Sequence, residues 1–313
     1  MSDVLSITLP IYIVIAIGFA CARAGWFSRA DMRVFGKFVI QLALPALLFN
    51  ALSSRTLAEV INPVYLVAYT AGSLLVAGIG FAWARWAGKS LSGAAVVAMG
   101  MTCSNSGFIG FPLALQLFGP TAGVALALCM IVENVLMLPL LLAIADMDGA
   151  QGKGNWRKTF LASLAGLVRN PMILAIIAGL VFSLFGLRLP EAGARAVNLF
   201  ATSCGALALF VIGGSLTGTP TPGLKRDVSA IAIGKLLLHP LAVFVMLWLL
   251  PPLPAQLHVA ALIFAAVPML GIYPILAQKH GHDGMAAVAQ LFTTVISFVT
   301  LTALIWALQH RAL

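Results

Sequence analysis

Long apolar stretches alternate with short polar breaks along the whole chain. A helix needs about 20 mainly apolar residues to cross a bilayer. Reading the stretches between charged or Pro/Gly-rich breaks predicts ten spanning helices, near residues 4–24, 34–54, 63–86, 92–117, 121–145, 170–188, 194–217, 227–250, 256–279 and 285–308. The pattern therefore predicts an all-α integral membrane protein.

Composition excludes a soluble protein. Of the 313 residues, 61% are hydrophobic and 9% are charged, whereas about a quarter are charged in soluble domains. The charges fall mainly between the predicted spans, so the net charge of +9 indicates orientation rather than nucleic-acid binding. No cofactor and no metal are expected, because two histidines in His280-x-His282 without a third ligand make a weak site, and we interpret them as exposed loop residues.

Lysine and arginine are distributed unevenly between the two sets of predicted loops. Thirteen lie on one side, four lie on the other, and Lys235 lies within a span. The positive-inside rule places the thirteen in the cytoplasm and both termini outside it. A multi-pass protein of the bacterial inner membrane is expected.

A polar segment near the middle divides the chain into two halves. The prediction is a first five-helix repeat at 1–145, a cytoplasmic linker at 146–169 and a second repeat at 170–313. Halves with five spans each must have opposite orientations. The stretches 112–119 and 274–281 share Pro, Gln and Gly at the same spacing, and both lie in the fourth span of their half. The sequence therefore predicts two inverted repeats.

Polar residues, glycines and prolines interrupt the fourth and ninth predicted spans, over residues 102–112 and 268–274. A proline removes a backbone donor and clashes one turn back, so the freed backbone groups need protein, water or ligand as partners. Paired interruptions in inverted halves indicate a transporter's binding site, where half-helix N-termini attract an anion. The alternative is two ordinary proline kinks without function. The predicted substrate-binding residues are Ser104, Asn105, Ser106, Gly110, Pro112, Pro268, Gly271, Tyr273 and Pro274.

Two ionisable residues lie within predicted spans, Glu133 in the fifth and Lys235 in the eighth. Each costs roughly 2.5–3.5 kcal/mol on insertion scales, so a function should be sought. Glu133 is the first candidate for proton coupling, and Asn134 and Lys235 are further candidates. The alternatives are that Glu133 only hydrogen-bonds a freed backbone, and that Lys235 pairs with Glu133, counters a substrate carboxylate or extends to the cytoplasmic interface. His239 is expected on the same helical face as Lys235.

The interrupted spans resemble those of a known family. The stretches Asn105-x-x-x-x-Gly110-x-Pro112 and Gly271-Ile272-Tyr273-Pro274, with Pro45 in the second span and ten spans split by a central loop, are similar to the auxin efflux carrier family. The resemblance implies a fold like that of bile acid sodium symporters, with unwound fourth and ninth helices that cross. It also implies elevator-type alternating access and transport of malonate, malate or other organic acids.

The functional expectation is a secondary active carrier of small organic anions. The chain has no GxxxxGK[ST] loop for ATP and no GxSxG nucleophile elbow, so an enzyme is not expected. The expected partners are an organic anion and membrane lipid, with a proton or sodium ion for coupling and a homodimer both left open. A cation/proton antiporter, a passive channel and a receptor are the alternatives.

Overall fold

In the computed structural model, the described residues 2–56, 61–148, 156–217 and 226–310 are predominantly helical. Residues 149–155 of the predicted linker lie outside this set. The helices are α1 (Ser2–Arg23), α2 (Arg29–Ser53), α3 (Pro63–Trp86), α4 (Leu91–Thr102), α5 (Ser106–Phe118), α6 (Thr121–Asp146), α7 (Trp156–Leu167), α8 (Pro171–Phe185), α9 (Glu191–Ser215), α10 (Arg226–Leu249), α11 (Ala255–Ala266), α12 (Tyr273–Gln278) and α13 (Asp283–His310).

Among the described residues, six helices are long and apolar enough to cross a membrane, and a seventh span results if the bent pair α7–α8 counts as one. Shorter apolar helices accompany them, namely Thr8–Arg23 within α1, α4, α5 and α11. Each of the ten predicted intervals contains helix, and the fourth and ninth are each divided into two helices. The all-helical membrane class is confirmed, whereas the count of ten spans stays a prediction.

Several long helices contain a π-helical turn directly before an X-Pro pair. A π turn has i→i+5 hydrogen bonds in place of the i→i+4 bonds of an α-helix. This wider turn accommodates the missing N–H and the bulky ring of the following proline. Such turns are frequent at functional sites. The four segments are Val39–Ala43 before Pro45, Ser106–Gly110 before Pro112, Val132–Met137 before Pro139, and Gly234–Leu238 before Pro240.

The chain forms two compact units, and each draws on both sequence halves. Unit A comprises Met1–Pro63, Ser106–Leu128 and Val168–Gly218. Unit B comprises Val64–Asn105, Cys129–Leu167 and Thr219–Leu313. Both units are therefore discontinuous in sequence. The predicted repeats at 1–145 and 170–313 are a different kind of division, and they stay a prediction.

In unit A, α1 and α9 pack with their backbones in close contact at glycines. A Cβ atom on Gly213 would lie 1.9 Å from the carbonyl oxygen of Ile15, and one on Gly18 would lie 2.2 Å from that of Phe210. Real Cβ atoms do not approach oxygen this closely, so these positions require glycine. At one end of the pair, the rings of Phe27 and Phe35 pack edge-on against Phe210.

The core of unit B is formed by the first halves of the two broken spans. Every residue of α4 from Ser92 to Thr102 is buried, and in α11 Ala260–Ala266 are buried as well. Both helices consist mainly of small and apolar residues, which is typical of helices surrounded by protein on all sides. The two breaks that follow α4 and α11 are thereby held inside unit B.

Candidate functional site

The breaks in the fourth and ninth predicted spans lie side by side in unit B. After α4, residues 103–105 are extended, and Ser104 forms an isolated antiparallel bridge with Met269. The N–H of Asn105 donates to the carbonyl of Pro268 at 2.8 Å, and the N–H of Leu270 donates to the carbonyl of Cys103 at 3.1 Å. The expectation that the two interruptions exist and meet is confirmed. Each break supplies partners for backbone groups that the other frees.

Pro112 and Pro274 lie beyond the extended residues and do not themselves cause the loss of helix, whereas Pro268 lies within the ninth-span break, directly after the extended residue Val267 that caps the end of α11. Pro274 occupies the first turn of α12, where a missing N–H costs nothing. Pro112 follows the π-helical turn Ser106–Gly110 within α5, and that turn accommodates its missing N–H. The extended residues 103–105 lie within the predicted interruption at 102–112, at the end opposite to Pro112. The helix α4 ends at Thr102, ten residues before Pro112.

Ser104 connects the two intramembrane ionisable residues. Its backbone N–H donates to Glu133 Oε1 at 2.9 Å. Its hydroxyl accepts a hydrogen bond from Lys235 Nζ at 2.6 Å. Glu133 is 6% exposed and Lys235 is 0% exposed, and their opposite charges attract each other. Both residues also lie in π-helical segments. The hydrogen bond from a freed backbone group to Glu133, which the alternative interpretation of Glu133 predicts, is present, and the role of Glu133 in proton coupling stays a prediction.

The ammonium group of Lys235 has three hydrogen-bond acceptors where the two helix breaks cross. Besides Ser104, its ammonium group donates to the carbonyl of Ala265 at 2.7 Å and lies 2.9 Å from His239 Nδ1. An ammonium has three donors, so the three acceptors match it. Ala265 lies in the last turn of α11, where the helix dipole favours a cation. The alternative that Lys235 extends to the membrane interface is wrong, because its amino group bonds these buried partners.

A polar stripe along α3 completes this network, and sequence reasoning missed it. The hydroxyl of Tyr69 lies 3.4 Å from Glu133 Oε1 and 3.3 Å from Ser104 Oγ. Ser73 Oγ lies 2.9 Å from His239 Nε2. When His239 Nδ1 accepts from Lys235, Nε2 carries the hydrogen and donates to Ser73. The available signal was the spacing of Tyr65, Tyr69 and Ser73, which places three polar side chains on one helical face.

The other predicted residues of unit B have different surroundings. Tyr273 is fully buried, and its hydroxyl donates to the carbonyl of Val96 at 2.9 Å. Its ring packs so closely on α4 that a Cβ on Gly100 would lie 2.6 Å from the tyrosine oxygen. Gly271 is exposed, and its carbonyl accepts from Gln290. The side chain of Asn134 donates to the carbonyl of Met130, one turn back in its own helix.

Three predicted binding residues belong to unit A. Ser106 and Gly110 begin and end the π-helical turn at the start of α5, and Pro112 follows in the next turn. All three are buried. Pro112 packs near α9, where a Cβ on Gly205 would make an ordinary contact with its ring at 3.9 Å. Their roles in substrate binding stay predictions.

A second polar cluster in unit B lies at the start of α4, the end of α6 and the end of α12. The side chain of His280 is 8% exposed, and its Nε2 lies 3.3 Å from Asp146 Oδ1, so its interpretation as an exposed loop residue is wrong. Burial lowers the pKa of His280. The backbone N–H and hydroxyl of Ser92 donate to Asp148, and the backbone bond holds the pKa of that carboxyl below its usual range. Among the described residues, no group of three His, Cys, Asp or Glu residues could hold a metal ion.

The long apolar helices and the two crossing helix breaks, with buried charged residues beside them, define a multi-pass membrane transporter rather than an enzyme. A family model described as "Membrane transport protein" matches residues 3–306. The chain belongs to this family, the auxin efflux carrier family, as the sequence motifs indicated.

Curated relatives agree with this assignment over nearly the whole chain. A protein of Rhizobium meliloti named "Putative malonate transporter" is 26% identical over 322 residues, covering 100% of this chain and 98% of the relative. An Escherichia coli protein named "Uncharacterized transporter YfdV" is 27% identical over 316 residues, covering 97% of this chain and 96% of the relative. An "Uncharacterized transporter" of Methanothermobacter thermautotrophicus is 25% identical over 187 residues, or 59% of each chain.

Proposed function

We propose that this chain is a secondary active carrier of small organic anions, with monocarboxylates or dicarboxylates such as malonate as its substrates. The observation that carries the proposal is the crossing of the two helix breaks at Ser104 and Met269, with the buried charges of Glu133 and Lys235 against it. Irregular backbone at membrane depth is tolerated only where protein or a cavity surrounds it, and in transporters it forms the binding site.

The preference for an anion rests on the segment between α4 and α5. Ser104, Asn105 and Ser106 place polar side chains directly before the first N–H groups of α5, and a helix N-terminus favours negative charge. Lys235 bonds Ser104 and adds a positive charge beside the same segment. The name of the Rhizobium meliloti relative supports a dicarboxylate of the size of malonate.

The proposal includes ten spans in two inverted repeats, with both termini outside the cytoplasm and alternating access of the elevator type. The repeat is supported by the conformations of the two matching octets. In both octets the proline lies in the first turn of a regular α-helical segment, Phe111–Phe118 and Tyr273–Gln278, and the closing glycine has positive φ, 58° at Gly119 and 73° at Gly281. The proline and the glycine therefore have similar backbone positions in the two octets, which supports a repeat.

Uptake into proteoliposomes tests the proposed function. The purified full chain is expected to accumulate labelled malonate above empty liposomes, and an Asn105→Ala variant to take it up about tenfold more slowly, because a hydrogen bond to a charged group contributes roughly 1.5–3 kcal/mol. Asn198→Ala, an exposed asparagine in α9, is the matched control and should transport normally. Wild-type uptake by Asn105→Ala, or no uptake of any organic acid, would contradict the proposal.

Glu133 is proposed as the proton-binding group in coupling. Its Gln variant keeps an oxygen that accepts from the Ser104 N–H, but it can no longer exchange a proton. We expect uptake by the wild type to depend on an imposed pH gradient and uptake by Glu133→Gln to be independent of it. The measurement is initial uptake with and without the gradient, and with sodium on either side. Retention of full pH dependence by the variant would exclude Glu133 as the coupling group.

The same liposomes separate the carrier from the alternatives. A carrier shows faster labelled uptake when unlabelled substrate is present on the opposite side, whereas a passive channel does not. A cation/proton antiporter would change internal pH on addition of sodium without any organic acid. Uptake without this acceleration would indicate a channel, and a sodium-driven change of internal pH would indicate an antiporter. Either result would contradict the proposed carrier.

A further inference from the structure

An arginine at the start of α10 lies over two tryptophan rings of α3. The guanidinium carbon of Arg226 is 5.7 Å from the ring centroid of Trp83 and 5.7 Å from that of Trp86. A guanidinium that contacts an aromatic ring through its flat face does not use its N–H groups in that contact. These groups point outward in the guanidinium plane and can bond a planar or tetrahedral anion. The two rings therefore position the arginine without using its hydrogen-bonding capacity.

The arginine and the tryptophans lie at the ends of two candidate membrane spans. Trp86 is the last residue of α3 and Arg226 is the first residue of α10, and both helices are among the candidate membrane spans. Trp86 is 79% exposed, and Arg226 is exposed as well. Tryptophan at a span end is typical of the headgroup level, where one part of the ring contacts acyl chains and the other contacts polar groups.

Among the described residues near Arg226, the basic side chains of Lys89 and Arg85 already have partners. Lys89 forms an ion pair with Asp227 at 2.6 Å. Arg85 donates to the carbonyl of Lys89 and is attracted by Asp148. In the part of the chain that the structure describes, no carboxylate lies within ion-pair distance of Arg226, and no acceptor bonds its N–H groups. A positive group held at the headgroup level with unused donors is suited to a phosphate.

We propose that Arg226, Trp83 and Trp86 form a binding site for the phosphate group of an anionic phospholipid. The guanidinium binds the phosphate oxygens through two parallel N–H bonds, and the exposed ring of Trp86 contacts the glycerol and the first carbons of the acyl chains. An anionic headgroup is favoured over phosphatidylcholine because its phosphate charge is not neutralised by a trimethylammonium group on the same lipid. The site is independent of the proposed transport activity.

Lipid titration of the detergent-purified full chain tests this site. Short-chain phosphatidylglycerol should raise the melting temperature more than phosphatidylcholine, because a ligand of the folded form stabilises it by mass action. Arg226→Gln should weaken phosphatidylglycerol binding about fivefold, as expected for one arginine near an anionic lipid. Arg226→Lys keeps the positive charge but cannot form two parallel N–H bonds, so its phosphatidylglycerol affinity should lie between those of the wild type and Arg226→Gln. Phosphatidylglycerol with brominated acyl chains should quench tryptophan fluorescence, and less so in Trp86→Phe.

Arg33→Gln is the matched control, because Arg33 is an exposed arginine of α2 and the substitution removes the same charge. Its phosphatidylglycerol affinity should equal that of the wild type. Equal loss in Arg33→Gln and Arg226→Gln would reduce the effect to net charge and overturn the site, as would unchanged affinity in Arg226→Gln. Inorganic phosphate that stabilises the chain as strongly as phosphatidylglycerol would also overturn the assignment to a lipid.

Discussion

Lys235→Met is expected to abolish substrate uptake and to lower the melting temperature of the purified protein substantially. The substitution removes the ammonium donor from Ser104 Oγ and from the Ala265 carbonyl, which are both buried acceptors. It also leaves Glu133 without the opposite charge at the crossing. Removing one member of a buried pair typically costs about 3–5 kcal/mol. Thermal unfolding in detergent and uptake in proteoliposomes measure the two effects separately.

A double variant separates stability from transport at this site. Replacing both charges by apolar residues, in Lys235→Met with Glu133→Leu, should recover part of the lost stability, because no unbalanced charge remains buried. Transport should not recover. Lys37→Met, at an exposed lysine of α2, is the control and should change neither property. Full transport by Lys235→Met, or a double variant that transports, would show that the buried ammonium is dispensable.

Gly213→Ala is expected to have the largest effect on stability in unit A. The added methyl group would lie 1.9 Å from the Ile15 carbonyl oxygen and 2.9 Å from the Phe19 nitrogen, both backbone atoms of α1. A side chain can rotate away from such a clash, whereas here the two helices must separate. Overpacking of this kind costs about 1–3 kcal/mol, which corresponds to a decrease in melting temperature of roughly 2–5 °C for a chain of this length.

Gly205→Ala provides the comparison within the same helix. Its added methyl group would make an ordinary contact with Pro112 at 3.9 Å. Since alanine favours a helix by about 1 kcal/mol over glycine, this variant should melt at or slightly above the wild-type temperature. The two melting temperatures are compared in the same detergent. Equal values would contradict the close approach of α1 and α9.

The sequence located the breaks because they depend on local chemistry. Polar side chains and glycines in an otherwise apolar interval predict freed backbone groups wherever the interval lies. The position of the break was less predictable, since it fell at residues 103–105 and not at Pro112. The extended conformation there depends on hydrogen bonds to Pro268 and from Leu270, which are formed by a segment of chain more than 160 residues away.

The buried charges were recognised from the sequence, but most of their partners were not. The insertion cost of Glu133 and Lys235 made them candidates, and His239 followed from its spacing. Tyr69 and Ser73 could not be assigned, because polar residues in a membrane helix face other helices in many different ways. The contact between Ser104 and Lys235 joins residues 131 positions apart, a distance at which helical periodicity carries no information.

Sequence alone determined the class of the protein, its helical intervals, the two interrupted spans and the residues that needed a polar environment. These properties follow from hydrophobicity and from backbone chemistry, which act residue by residue. Tertiary structure alone decided that the breaks pair with each other, that Ser104 connects Glu133 and Lys235, and that the units combine segments from both halves. The reason is physical, because these contacts arise from packing between helices that are remote in sequence.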